Sequence, residues 1–181
     1  MKKITFFGSG VELKNINISK PEMSRIVEII SVHYDKILYG GTNIGLMGEF
    51  AKEAKNKGLK IKSVVTDWLS EEHNELIFSS DEINVAKDLS ERKEILTKTD
   101  AVLIYPGGIG TMDELFDLIT KISFKEIEPI PIIIYNFERY YSPLLLQIEY
   151  GIKVGTIKKE IMDILHTFEH PKQLKEILEG V

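Results

Sequence analysis

The stretch Ala101-Val102-Leu103-Ile104-Tyr105-Pro106-Gly107-Gly108-Ile109-Gly110-Thr111 decides the fold. Its first five residues form an unbroken apolar run, the pattern of a strand buried on both faces of a parallel sheet. Glycines follow, and then Leu115, Leu118, Ile119 and Ile122 recur at helical spacing. Strand, glycine turn and amphipathic helix make one β-α unit. The same alternation runs outward along the chain. Short apolar segments predict strands at 3–7, 36–39, 60–65, 82–85, 101–105, 131–135 and 164–168, with helices at 21–34, 46–57, 88–98, 111–124, 142–150 and 171–178. The expectation is an α/β protein, an open parallel sheet of about seven strands with helices on both faces. Residues 1–181 are expected to form one domain.

The chain carries 23 Lys plus Arg against 28 Asp plus Glu, a net charge of −5. Hydrophobic residues make up 43% and charged residues 28%, which supports a buried core and excludes a disordered tail. The absence of cysteine removes disulfides, zinc-thiolate sites, iron–sulfur clusters and a Cys nucleophile, and fits a reducing cytoplasm. Met1-Lys2-Lys3 opens like a signal peptide, but no long apolar region or small-residue cleavage site follows, so an immediate strand is expected. The apolar run at 130–135 is far short of the roughly 20 residues that span a bilayer, so no membrane span is expected. An acidic chain without a basic block is also a poor nucleic-acid binder. His33, His73, His166 and His170 show no ligand spacing, so no metal site is expected.

Three predicted strands end in turn residues: Gly8-Ser9-Gly10, Gly40-Gly41-Thr42 and Pro106-Gly107-Gly108. Ligands of open parallel sheets bind at the carboxyl ends of the strands, where strand order reverses, so these loops are expected to converge on one crevice. The densest signal is Gly107 to Thr111. Glycines there permit a sharp turn and leave N–H groups free at a helix N-terminus, which suits a phosphate. No Gly-Lys-Ser/Thr follows, so it is not a Walker loop. The plainer reading is a tight turn that binds nothing. Gly48, inside a predicted helix, costs roughly 1 kcal/mol relative to Ala, which points to close packing or close approach of a ligand.

Charged residues are informative where the helical pattern wants carbon. On the helix from Asp88, a stripe set by Leu89, Ile95 and Leu96 also contains Arg92, which must then meet a carboxylate or a bound anion. The plainer reading is a structural pair or a snorkelling side chain. Lys93 is adjacent and reads as solvated. After the glycine loop, Glu114 flanks the apolar face, whereas Asp113 and Asp117 lie further toward solvent. Trp68 either walls a pocket or packs in the core, and Asp67, Glu71 and Glu72 read as a solvated loop. Met47 and Met112 read as packing residues.

The residues Pro106-Gly107-Gly108-Ile109-Gly110-Thr111-Met112-Asp113-Glu114 fit the PGGxGTxxE motif of the LOG (LONELY GUY) proteins, long mislabelled as lysine decarboxylases. Phe6-Phe7-Gly8-Ser9-Gly10 resembles the first-strand loop of that family, and Tyr39-Gly40-Gly41 with Gly45-Leu46-Met47-Gly48 resembles its YGGG…GLMG stretch. Glu91-Arg92-Lys93 fits the end of its MHxRK motif, and Tyr135-Asn136 with Tyr140-Tyr141-Ser142-Pro143-Leu144-Leu145 resembles its late segment. The resemblance covers residues 1–155. It departs at Leu89-Ser90, where Met-His is common, and at Thr42, where a third glycine is common.

The resemblance implies a Rossmann-like homodimer or larger homo-oligomer that hydrolyses nucleoside 5′-monophosphates to free base and ribose 5-phosphate, with cytokinin riboside monophosphates among the substrates of the family. It implies Arg92 and Glu114 as the catalytic pair, and Gly107, Gly108, Ile109, Gly110 and Thr111 as the phosphate loop. Ser9, Gly41, Thr42, Leu89 and Lys93 are the further candidates for substrate binding. No cofactor is implied, and no base is assigned. The rival reading is a non-catalytic nucleotide sensor or carrier on the same sheet. A DNA-binding relative conflicts with the net charge of −5. A lysine decarboxylase would need pyridoxal phosphate on a lysine that nothing in the sequence marks.

Overall fold

Seven parallel strands lie in the order β4-β3-β2-β1-β5-β6-β7. The computed structural model describes residues 1–72 and 77–181. Along the chain these are β1 (Lys3–Phe7), α1 (Lys20–His33), β2 (Lys36–Tyr39), α2 (Gly45–Asn56), β3 (Lys60–Thr66), α3 (Asp67–Glu72) and β4 (Glu82–Ala86). There follow α4 (Leu89–Leu96), β5 (Ala101–Ile104), α5 (Ile109–Ser123), β6 (Ile132–Tyr135), α6 (Ser142–Lys153), β7 (Leu165–Phe168) and α7 (Pro171–Gly180). The chain winds from β1 out to β4, then returns to place β5 beside β1. The topological switch point therefore lies between β1 and β5, and the loops after β1, β2 and β5 leave neighbouring strands there.

Alternate side chains of the strands feed two cores. Phe6, Ile37, Tyr39 and Ile61 pack with Ile26 and Ile30 of α1, Phe50 and Ala54 of α2, and Leu174 of α7. Phe7, Leu38, Val64 and Ile104 pack with Leu96 of α4, Leu115 and Leu118 of α5, and Ile148 of α6. Burial on both faces explains why the central strands are mostly apolar, whereas β4 at the edge of the sheet is largely exposed. Under the carboxyl ends of the strands, Phe50 stacks on Phe6 at 3.9 Å, and Tyr105 and Tyr135 extend the aromatic layer at 4.9 Å. Ser19 caps α1 by accepting from the Glu22 amide, and Gln173 caps α7 by accepting from the His170 amide. No helix among the described residues is long and apolar enough to cross a membrane.

Several expectations are corrected. Residues 67–72 form α3 rather than a loop, with Asp67 in its first turn, where a carboxylate suits the helix dipole. Trp68 is not in the core; it is 58% exposed on that helix. Helix α5 starts at Ile109, two residues before the predicted start, because Gly108 supplies the N-cap and the first turn tolerates Gly110. Leu89 does not join an apolar stripe: it opens α4 at 65% exposure, and Leu96 is the buried residue of that helix. His73 lies outside the described residues.

Candidate active site

Backbone hydrogen bonds knit the three loops at the switch point. The Ser9 amide donates to the Pro106 carbonyl and the Met47 amide donates to the Ser9 carbonyl, both at 3.0 Å. The Thr111 hydroxyl donates to the Gly8 carbonyl at 3.2 Å. A side chain at Gly107 would strike Thr111, so the loop closes this tightly only with glycine there. Gly41 has φ of +88°, and a side chain on it would strike Val65. Gly48 is explained by its own loop, because a Cβ there would meet the Asn43 backbone.

Helices α4 and α5 bring Arg92 and Glu114 together across this crevice. Arg92 Nη1 donates to Glu114 Oε1 at 2.8 Å, and Arg92 Nε donates to the Val64 carbonyl at 3.1 Å. The side chains are 16% and 10% exposed. The guanidinium lies over Gly40, where any Cβ would collide with Nη2. Gly40, which the sequence placed in one of the three converging loops without giving it a role, therefore makes room for the guanidinium. Burial pushes the Glu114 carboxyl above the ordinary carboxylate range, against the opposing pull of Arg92. Such a group is a better base than a solvated carboxylate.

Lys93 is not solvated. It pairs with Asp113 at 3.0 Å and with Asp117 at 3.5 Å, and Asp117 pairs with Lys121 at 2.8 Å, which draws Asp117 off the solvent face expected for it. The hydrogen bond to Asp113 raises the proton affinity of Lys93 against a smaller opposing effect of burial. The Ser9 hydroxyl donates to the Val11 carbonyl at 2.7 Å, and the Thr42 hydroxyl accepts from the Ile44 amide at 3.3 Å. Both stand in the crevice walls with their hydroxyls bonded to their own loops. Gly108, Ile109 and Gly110 are exposed at the start of α5, whose N-cap makes no side-chain hydrogen bond. The first-turn amides of a helix have no partner within it, so this end offers donors to an anion.

A family model described as "Possible lysine decarboxylase" matches residues 40–178. A cytokinin riboside 5′-monophosphate phosphoribohydrolase of Arabidopsis thaliana, LOG1, is 32% identical over 181 residues, 98% of this chain and 83% of that protein. The chain belongs to the LOG family.

Two other LOG relatives are longer than this chain. The rice protein named "Probable cytokinin riboside 5'-monophosphate phosphoribohydrolase LOGL1" is 34% identical over 132 residues, 72% of this chain and 58% of that one. The cytokinin riboside 5′-monophosphate phosphoribohydrolase of Rhodococcoides fascians is 31% identical over 123 residues, 67% of this chain and 62% of that one. The LOG chain thus spans less than two thirds of the length of either. Among solved structures, the molybdenum cofactor binding protein of Rippkaea orientalis superposes with a TM-score of 0.67 at 16% identity, covering 99% of this chain and 96% of that one. The molybdenum cofactor carrier protein of Chlamydomonas reinhardtii matches with the same TM-score of 0.67 at 16% identity, covering 99% and 96%. At that identity the likeness is one of fold.

The decarboxylase description does not fit the residues. Pyridoxal phosphate needs a lysine amine that deprotonates readily to form a Schiff base. The lysine beside the crevice, Lys93, is held protonated by Asp113 and Asp117.

Proposed function

We propose that this chain hydrolyses the N-glycosidic bond of nucleoside 5′-monophosphates, giving free base and ribose 5-phosphate. The observation that carries the reading is the buried Arg92–Glu114 pair at 2.8 Å, whose carboxylate lies on α5, the helix that begins at the glycine-rich loop. Glu114 is the sixth residue of that helix, about 8 Å along its axis from the first. This offset suits a ribose whose 5′-phosphate sits on the amides of residues 107–111 and whose C1′ faces the carboxylate. The names of the LOG relatives support the same substrate class.

In this reading Glu114 takes a proton from water as the water oxygen bonds to C1′. The C1′–N bond breaks through an oxocarbenium-like state, which the carboxylate stabilises, and the departing nitrogen keeps the electron pair and takes up a proton. Arg92 orients Glu114 and donates to ribose or phosphate oxygens. Phosphate binding at a distance helps to reach the transition state. The test is base release from a panel that includes AMP and N6-isopentenyl-AMP. Release of base with equimolar ribose 5-phosphate is expected. Nucleotide binding without release from any member would instead make the chain a carrier.

The reading extends to a homo-oligomer. Phe116 and Phe124 of the α5 region and Leu146 and Tyr150 of α6 are exposed apolar side chains, whereas α1 is packed between α2 and α7. This favours α6 over α1 as interface material. Light scattering on the wild type and on Leu146→Glu checks it, and a monomeric wild type would remove the claim.

A further inference from the structure

We propose that Tyr140 is a positioning residue that fixes the direction in which the Gly107–Gly108 peptide presents its N–H to a phosphate, with Tyr141 anchoring the chain just before it. The inference rests on the reading that this loop holds the 5′-phosphate, and it assigns the parts that hold the loop.

Three successive carbonyls leave β5, and each is tied by a donor from elsewhere in the fold. The Tyr141 hydroxyl donates to the Tyr105 carbonyl at 2.8 Å, and the Ser9 amide donates to the Pro106 carbonyl at 3.0 Å. The Tyr140 hydroxyl donates to the Gly107 carbonyl at 2.6 Å. In a planar trans peptide the C=O and the following N–H point in opposite directions. Holding the Gly107 carbonyl therefore fixes the Gly108 N–H on the opposite side, while the Gly107 N–H faces the Tyr141 hydroxyl. A Gly-Gly peptide has little steric resistance to rotation, and a rotated one would present a carbonyl oxygen to the phosphate in place of a donor. The Tyr140 hydroxyl opposes that rotation.

The local sequence delivers both rings to this place. After β6, Glu138 and Arg139 adopt φ of +49° and +61°, a conformation costly for non-glycine residues and tolerated only where surrounding contacts enforce it. The Asn136 side chain accepts from the Tyr141 amide at 2.8 Å and donates to the Ser142 hydroxyl at 3.2 Å, which closes the turn. The two rings pack edge to face at 4.9 Å. Strain, cap and ring pair converge on two hydroxyls, and both of these serve the loop.

The test compares wild type, Tyr140→Phe and Tyr141→Phe, which keep the rings, for calorimetric binding of ribose 5-phosphate and of adenosine. One neutral hydrogen bond lost corresponds to about two- to tenfold weaker binding. A loss of that size for ribose 5-phosphate in Tyr140→Phe, with adenosine binding unchanged, is the expected result. Equal ribose 5-phosphate affinity in wild type and Tyr140→Phe would overturn the proposal, whatever Tyr141→Phe does, as would a parallel loss for adenosine, which marks a merely structural role. A wild type that fails to bind ribose 5-phosphate overturns it as well. A wild type that binds ribose 5-phosphate but releases no base defeats the hydrolase reading alone and leaves the tyrosine assignment to be decided by the variants.

Discussion

Helices α4 and α5 each hold one half of the Arg92–Glu114 pair, and they are held in place by different physics. Helix α5 runs for 15 residues and buries Leu115, Leu118 and Ile122 in the core beneath the sheet. Helix α4 runs for 8 residues and buries Leu96. Ile95 packs partly buried against the same core, and the other anchors are polar. Asp88 accepts from the Glu91 amide at 2.8 Å, Glu91 accepts from the Lys87 amide at 2.8 Å, Arg92 reaches Val64 and Glu114, and Lys93 reaches Asp113. Helix α5 is thus part of the core, and α4 is clipped onto it by charges. A helix with so little apolar burial belongs to the low-stability end of a fold, where local opening is cheapest. The carboxylate thus sits on the helix with the larger apolar anchor, and the guanidinium on the one held mainly by polar contacts.

The largest expected effect lies in the chemistry. Glu114→Gln keeps an acceptor for Arg92 but loses the base, so base release should fall about 10²- to 10⁴-fold while nucleotide binding persists. In the proposed reaction Glu114 acts deprotonated, so the wild-type rate should fall as pH drops through its pKa. Burial raises that pKa, which puts the acid limb above the ordinary carboxylate range, and the limb should vanish in Glu114→Gln. Next comes Leu118→Ala, which hollows the core under α5 and should cost about 2 to 5 kcal/mol in urea unfolding of the whole molecule. Asp88→Ala removes the α4 cap and should cost about 1 kcal/mol. Hydrogen exchange should show that loss at the amides of 89–96 and leave those of α5 protected. If both sets lose protection equally, the two helices share one cooperative unit and the contrast fails. The smallest effect is expected for Lys93→Met. Asp113 is mostly exposed, so the lost pair should be worth less than about 1 kcal/mol, again felt in α4 exchange.

The same division explains what the sequence disclosed. The central strands were legible because residues buried on both faces leave apolar runs, as at Ile132–Tyr135, and the edge strands β4 and β7 showed as short mixed segments between helical stretches. The inward face of α5 was legible from its period, and Arg92 stood out as a charge needing a carboxylate or an anion, but that the carboxylate is Glu114 emerges only from the folded structure. Helix α4 was misread at Leu89, because periodicity assigns burial by angle while this helix is fixed by its cap and its charges. Lys93 and Asp117 were misread for the same reason: each gains its partner from another turn or another helix, which spacing along one helix does not reveal. Gly40, Tyr140 and Tyr141 act through contacts between loops far apart in sequence, with Tyr140 and Gly107 separated by 33 positions. Only the assembled sheet brings such residues together.

The measurement that tests the central claim most directly is base release from AMP and N6-isopentenyl-AMP by wild type and Glu114→Gln, with nucleotide affinity measured on the same samples. The account predicts turnover by the wild type, loss of nearly all of it in Glu114→Gln, and similar affinity in both. Equal rates in the two proteins would contradict it, because the carboxylate buried against Arg92 would then have no part in breaking the bond.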